Sequence, residues 1–313
     1  MSEIITLGEP LIVYVAEAPG TFSEVETYTR GLAGAELNFS IGVTRLGHQI
    51  SYMTRLGKDV YGKYIMDFVL REGIDPAQII WDEEHVTGSY LKFKALKGDP
   101  EIAYFRKGSA ASHICPEDVE KIDFSNTKWL HITGISAGIS ESCQKACEKA
   151  MEKARANGVY ISFDTNIRKA LWKSEEQMRN VLNSLAEKCD LLLPGIEEGK
   201  ILTGYDEPEH IAEFYFNKGV KAAVIKLGAR GAWYKTKNDQ GFVEGFPVEH
   251  VVDTVGAGDA FAAGVVSGLL EGLTMEKAVL RGNAMGAIII TSKGDNDILP
   301  VKGELERFMK DAR

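Results

Sequence analysis

No apolar run in the 313-residue chain is long enough to span a bilayer, and its first residues enter a strand pattern, Ile4-Ile5-Thr6-Leu7-Gly8, without a basic region and apolar core of a secretory leader. Both absences point to a cytoplasmic protein. Positive charge is also in deficit: 36 Lys and Arg stand against 45 Asp and Glu, a net charge of −9, which argues against a nucleic-acid or anionic-membrane partner. Any anion must be bound locally. Cysteine is scarce, and Cys115, Cys143, Cys147 and Cys189 lack a metal-ligand spacing; Cys143 and Cys147 recur with Ala150 and Ala154 on one apolar helical face, as core thiols in a reducing compartment would. No Gly-x-Gly-x-x-Gly opens the first strand-helix unit, which disfavours a nicotinamide dehydrogenase. Internal repeats, linkers and low-complexity tracts are absent, and 44% hydrophobic with 26% charged residues is the balance of a globular chain with a sizeable core.

Against these absences one stretch stands out, Val251-Val252-Asp253-Thr254-Val255-Gly256-Ala257-Gly258-Asp259-Ala260-Phe261. Two β-branched residues are expected to end a strand, Gly-Ala-Gly to turn, and an Ala/Gly-rich pattern from Asp259 toward Leu270 to form a helix. The first N–H groups of a helix have no intrahelical partners, and the helix dipole adds about half a positive charge there, so the turn can hold a phosphate. A carboxylate at Asp259 would repel a permanently bound phosphate. Beside an anion hole it suits a base facing an alcohol that attacks a phosphoryl group. Taken alone, residues 256–259 suit plain helix capping equally well.

Residues 35–47 carry Leu37, Phe39, Ile41, Val43 and Leu46 with little polar face, which predicts a buried helix after a turn at Gly31-Leu32-Ala33-Gly34. A strand over 50–56 precedes a helix with Ile65, Phe68 and Val69 on one side. Alternation over 88–96 and 101–106, around Lys97-Gly98-Asp99-Pro100, predicts a hairpin with Tyr90, Tyr104 and Arg106 on a polar face and Leu91, Phe93, Ala95 and Phe105 on an apolar one. With a strand over 11–16 it forms a small β lid, about 11–33 and 87–110, interrupting an α/β domain. Its apolar face calls for cover, which a second subunit would supply. Beyond Pro116, strands over 129–133, 159–164, 191–193 and 222–227 alternate with helices over 140–157 and 175–188, the pattern of a parallel sheet covered on both faces, with ligands at its carboxyl ends. Asp164-Thr165-Asn166-Ile167-Arg168 and Lys226-Leu227-Gly228-Ala229-Arg230-Gly231 fall at two such ends. Strand-end capping and a tight turn account for most of these residues. Arg168 is the exception, since a guanidinium is the best bidentate partner for a carboxylate. Small residues Ala260, Ala263, Gly264 and Gly268 would let their helix pack closely on another over 275–290.

The run from Asp253 to Asp259 resembles the C-terminal signature of the ribokinase-like (PfkB) family of sugar kinases. Gly34 and Asn38 match the family's N-terminal substrate signature, Gly57, Asp59 and Gly62 fit the same region, and Gly8-Glu9-Pro10 resembles one branch, the 2-keto-3-deoxygluconate kinases. The resemblance extends in the family's order to Asp295. It implies a ribokinase-like α/β parallel-sheet sandwich over 1–313 with a small discontinuous β-sheet lid. It further implies that Asp259 is the catalytic base and Gly256, Ala257 and Gly258 the anion hole. Substrate would meet Gly34, Asn38, Tyr90, Tyr104, Arg106, Arg168, Asp259 and Asp295; nucleotide would meet Asn166, Lys226, Gly228, Gly231, Gly256 and Gly258. Gly195 stands where many relatives have the Asn of an Asn-x-x-Glu motif, leaving Glu198 to act on magnesium through water. The expected activity is ATP-dependent phosphorylation of 2-keto-3-deoxygluconate at its terminal hydroxyl, with ATP, Mg2+ and, as a further candidate, a monovalent cation such as K+. The partners would be small molecules and a second copy joined through the lid. Two alternatives stay open: a kinase of a neutral sugar, such as a fructokinase or ribokinase, and a non-catalytic binding or scaffold protein on the same fold, against which an intact Asp259 counts.

Overall fold

The computed structural model describes residues 2–94, 101–294 and 296–312. The hairpin tip at 97–100, Ala95 and Asp295 lie outside the described residues. The first half contains β1 (Ile4–Leu7), β2 (Leu11–Pro19), β3 (Tyr28–Ala33), α1 (Ala35–Arg45), β4 (Ile50–Gly57), α2 (Val60–Glu72), β5 (Ile79–Asp82), β6 (Ser89–Lys94), β7 (Ile102–Phe105) and α3 (Pro116–Glu120). There follow β8 (Trp129–Thr133), α4 (Gly134–Ile139), α5 (Glu141–Ala156), β9 (Tyr160–Asp164), α6 (Glu175–Ala186), β10 (Leu191–Leu192), α7 (Ile196–Thr203), α8 (Pro208–Phe216) and β11 (Ala222–Lys226). The chain ends with β12 (Gly231–Thr236), β13 (Gln240–Glu244), α9 (Ala257–Leu270), α10 (Met275–Ile289) and α11 (Lys302–Asp311).

Short apolar runs become strands here because both their faces are covered. Along β11, Ala222 and Val224 enter one core while Ala223 and Ile225 enter the other; in β1, Ile4 and Ile5 divide in the same way. Nine strands in the order β13-β12-β11-β10-β9-β8-β1-β4-β5 make the main sheet, parallel except for β12 and β13. β1 lies between β4 and β8, with Ile4 opposite both Ile50 and Trp129. Chain order runs outward from there in both directions, so the carboxyl ends of β1 and β8 open a crevice at the switch point. Helices α1, α9 and α10 pack on one face. A Cβ on Gly42 would come within 2.7 Å of the Ala263 Cβ, and one on Gly264 within 2.8 Å of the Gly282 Cα, so these helices approach as closely as the small residues suggest. The other face holds α5, whose Cys143, Cys147, Ala150 and Ala154 are all buried; none of the four cysteines is in a disulfide.

A second sheet, β3-β2-β6-β7, forms the lid. Two expectations need correction. Residues 31–33 belong to β3, paired antiparallel with β2 from Leu11–Ala33 to Ala16–Tyr28, rather than to a turn. Val251 and Val252 do not end a strand: they are exposed, and the Val252 N–H donates to the Ile290 carbonyl at 2.8 Å, because this segment crosses to α10 instead of joining the sheet. Among the described residues, no helix is long and apolar enough to cross a membrane.

Candidate active site

Gly256 adopts φ +79°, a left-handed conformation that glycine takes without penalty, and this lets α9 begin at Ala257, whose N–H turns back to the Thr254 carbonyl at 3.3 Å, with Gly256 and Gly258 lining the crevice. Asp259 is consequently in the first turn. Its carboxylate is 9% exposed and accepts hydrogen bonds from two amides: Asn38 Nδ2 to Oδ2 at 2.8 Å and Asn166 Nδ2 to Oδ1 at 3.1 Å. Burial pushes its pKa up to about 7, with Asp164 adding to the rise while the Asn38 hydrogen bond and the Arg168 charge oppose it. A carboxylate tuned to neutral pH is suited to general base work.

The supports of Asp259 come from three distant parts of the chain. Asn38 lies on α1, and its Oδ1 accepts from Asn296 Nδ2 at 2.9 Å, which fixes the amide so that its own N–H group points at Asp259. Asn296 also donates to the Leu32 carbonyl. Gly34, at the start of α1, has φ +133°, and a Cβ there would meet the Glu9 carbonyl oxygen at 2.7 Å, so the helix end can approach the β1–β2 connection only with glycine. Asn166 follows β9 and has φ +32°, the one positive value among the described non-glycine residues. Its N–H donates to Asp164 Oδ1 at 3.1 Å.

Lys226, at the end of β11, donates to Asp164 Oδ2 at 2.7 Å. Burial works against its ammonium, but the Asp164 and Glu198 charges together raise its pKa above the ordinary lysine value. Glu198 caps α7, accepting from the Gly195 N–H at 2.7 Å, the Ile167 N–H at 2.7 Å and Thr165 Oγ1 at 2.7 Å. Burial disfavours its charge, yet Lys226 and these donors outweigh burial and hold its pKa low. Both Glu198 and Lys226 line the crevice beside the Gly256–Gly258 turn.

The lid closes the crevice from above. β6 and β7 place Tyr90 opposite Tyr104, with ring centroids 5.3 Å apart, on the face toward the crevice. Arg106 is held rather than free: its Nε donates to buried Glu9 at 2.7 Å, and Ser109 Oγ donates to the other Glu9 oxygen. Lys92 is paired with Asp253. Arg168 is exposed; its guanidinium donates to the Ile167 carbonyl at 3.1 Å and has no carboxylate partner among the described residues.

Together these groups enclose a cavity of about 1000 Å³. Gly34, Asn38, Tyr90, Tyr104, Arg106, Asn166, Arg168, Glu198, Lys226, Gly256, Gly258 and Asp259 all line it. A second cavity, about 410 Å³, is lined by Gly228, Gly231, Ala257, Phe246, Val248 and Ile290, and shares Lys226, Thr254 and Gly258 with the first. The turn before α9 thus stands where the two cavities meet. Of the residues expected at the site, only Asp295 lies outside the described ones. The contributions of Glu9 and Asn296 were not expected, because their partners are 97 and 258 residues away and nothing local to either position announces them.

Two cavities that meet at a glycine turn, where a helix begins and a buried carboxylate stands, suit transfer of a phosphoryl group to an alcohol. The chain belongs to the pfkB family of carbohydrate kinases, whose model matches residues 1–302. It is 41% identical to the 2-dehydro-3-deoxygluconokinase of Bacillus subtilis, the match covering 99% of this chain and 96% of that one, and 34% identical to that of Thermoproteus tenax, covering 99% and 95%. A crystal structure from E. coli, solved in complex with ATP and Mg2+, superposes with a TM-score of 0.90 at 29% identity, covering 99% of this chain and 100% of that one.

Proposed function

We propose that the protein transfers the terminal phosphoryl group of ATP to the terminal hydroxyl of 2-keto-3-deoxygluconate, the substrate that the names of its Bacillus and Thermoproteus relatives carry. The observation that carries the choice of a sugar acid is the charge balance of the cavity wall. Arg106 is neutralised by Glu9, Lys92 by Asp253 and Lys226 by Asp164, and Lys169 lies 3.9 Å from Glu175, whereas Arg168 and Lys107 line the same cavity without a carboxylate in ion-pair reach among the described residues. A carboxylate entering a partly desolvated cleft requires a cationic partner, and a neutral sugar would not supply the anion that Arg168 awaits.

In this reading Asp259 takes the proton of the attacking hydroxyl. The amides of Gly256, Ala257 and Gly258 face the charge that builds on the transferring phosphoryl group. The apolar cavity receives the base of the nucleotide, beside Gly228 and Gly231, and the phosphates pass Lys226 and Asn166. Bound Mg2+ would neutralise charge on the phosphate oxygens. No group of three or more metal-ligating side chains occurs among the described residues. Such an ion would keep several waters and arrive with the nucleotide, and Glu198, whose pKa is held low, would hold it through water. The lid excludes bulk water during transfer. Two copies pair through the outer faces of their lids, where Phe105 is 60% exposed.

An ADP-release screen of the purified protein with ATP and Mg2+ against sugar acids and neutral sugars tests the reading. The highest kcat/KM is expected for 2-keto-3-deoxygluconate. Faster turnover of fructose or ribose would overturn the substrate and leave the kinase; no turnover of any sugar would favour a binding or scaffold role.

A further inference from the structure

The pairing of Lys92 with Asp253 ties the lid to the loop that forms the anion-binding turn. Lys92 sits on β6, on the face that carries Tyr90, and its ammonium reaches across 161 residues of sequence. The two side chains are 12% and 23% exposed, so the pair is less screened than a surface pair. Asp253 has a second partner: its Oδ1 accepts from the Val255 N–H at 3.1 Å, an Asx-type turn that sets the chain entering Gly256. On the other side of this loop the hold is to the residue after α10, where the Ile290 carbonyl accepts from the Val252 N–H at 2.8 Å and from the Asp253 N–H at 3.4 Å. The loop's own apolar residues contribute little, since Val251, Val252 and Val255 are 56%, 48% and 38% exposed. A loop with so few buried contacts is ordered by its polar ties, and one of those ties belongs to the lid.

We infer that Lys92 is a positioning residue for phosphoryl transfer: with the lid down, it holds Asp253 in the orientation that fixes the Val255–Gly258 turn. The anion hole is therefore complete only when the lid is down, as the Lys92–Asp253 pair holds it in this structure. This couples assembly of the site to closure and limits phosphoryl transfer to water in the open enzyme. Deleting one donor of an oxyanion hole typically costs 10²- to 10³-fold in kcat. Loosening the turn without deleting a donor should cost less, about 10- to 50-fold.

The inference rests on the phosphoryl-transfer reading and not on which sugar is used. It is tested with Lys92→Met, Lys92→Arg, Asp253→Asn and the Lys92→Met/Asp253→Asn pair in the full-length protein, with melting temperature recorded to show that each is folded. Asn at 253 keeps the acceptor for Val255 and removes only the charge. Hydrogen exchange of amides 253–258 without substrates is expected to speed up about tenfold or more in Lys92→Met and Asp253→Asn, and to return most of the way to wild type in Lys92→Arg. With whichever sugar the protein turns over, kcat should fall about 10- to 50-fold in both single variants and no further in the double variant, with the KM for ATP changed less than about threefold. Unchanged exchange in Lys92→Met would overturn the inference even if no sugar is ever turned over. So would a low kcat in Lys92→Met beside a normal kcat in Asp253→Asn, which would mean that Lys92 touches the phosphoryl group itself.

Discussion

Within the main sheet Leu130, Ile161 and Leu192 are fully buried between two helical layers, whereas the lid's own cluster is small, Leu11, Val13, Ala33 and Tyr90; Ile12 and Leu32 tie β2 and β3 to the main core, and ion pairs of Arg106 with Glu9 and Lys92 with Asp253 fasten the β6–β7 side. Close apolar packing holds one geometry, since almost any displacement opens a void or a clash. Ion pairs at a cavity wall can be exchanged for contacts with a ligand at little net cost. All the described hydrogen-bonding supports of Asp259 come from the packed body, through Asn38 and Asn166, and none from the lid. Asp259 is thus positioned without a hydrogen bond from the described residues of the lid.

The sharpest way to break this division is to remove the body's chemistry and leave both regions folded. Asp259→Asn should lower kcat by roughly 10²- to 10⁴-fold, with ATP affinity by calorimetry nearly unchanged. In the wild type, log kcat/KM should rise with pH and level off above about 7, the pKa to which burial pushes Asp259. A variant with near-normal turnover, or a flat profile from pH 5 to 8, would remove Asp259 from the role of base. Next in size is damage to the packing alone. Leu185, fully buried on α6, should lose about 2–5 kcal/mol of stability on replacement by Ala, read from urea unfolding, while kcat per folded molecule stays at the wild-type value.

Smaller again is the effect at the body's rim: Arg168→Ala should weaken kcat/KM for 2-keto-3-deoxygluconate by about 1.5–3 kcal/mol, the range for a charged hydrogen bond, without altering the KM for ATP. An equal loss with a neutral sugar would show that Arg168 does not read a carboxylate. The smallest effect on the isolated fold is expected at the lid's outer face. Phe105→Glu should leave the melting temperature within a few degrees of wild type and convert dimers to monomers by light scattering; a wild type already monomeric at micromolar concentration would dismiss the lid contact. Phe93 is a poorer probe, since it is 9% exposed within its own chain.

What could be read from the sequence divides along the same line. Helices with a one-sided apolar pattern were legible because the pattern is the packing: the positions that place Cys143, Cys147, Ala150 and Ala154 on one face of α5 are the positions buried. The alternation of Tyr90 with Leu91 marks the lid hairpin as extended chain, although Tyr90 is the buried member and Leu91 only half-buried. β12 and β13 were not legible, because Trp233 and Tyr234 are adjacent and both buried, so no alternation marks β12; its identity comes from pairing with β11. Val251 and Val252 misled in the opposite sense, having strand-forming side chains but no strand to pair with. At the site, Asp259 and its glycine turn were legible as a continuous motif. Glu9, Asn296 and the Lys92–Asp253 pair act through space, and their chemistry appears only when the chain is folded.

Burying Asp259 also sets the fold and the reaction against each other on the pH axis. A carboxyl with a folded-state pKa near 7 and an unfolded value near 4 binds its proton more tightly in the folded chain, so its contribution to stability is greatest at acid pH and declines as pH rises from about 4 to 7. Ionisation of the folded carboxyl, at the upper end of that interval, is what a base would require. The difference amounts to a few kcal/mol, at about 1.4 kcal/mol for each tenfold change in proton affinity, which is a sizeable part of the stability of an ordinary domain. Asp259→Asn, which cannot ionise, should therefore melt higher than the wild type at pH 8 and lose that advantage toward pH 4. Calorimetric scans at the two pH values measure it. Near neutrality, each molecule ready to react is one that has given up part of its hold on the native state, and a bound substrate that covers the carboxylate restores it.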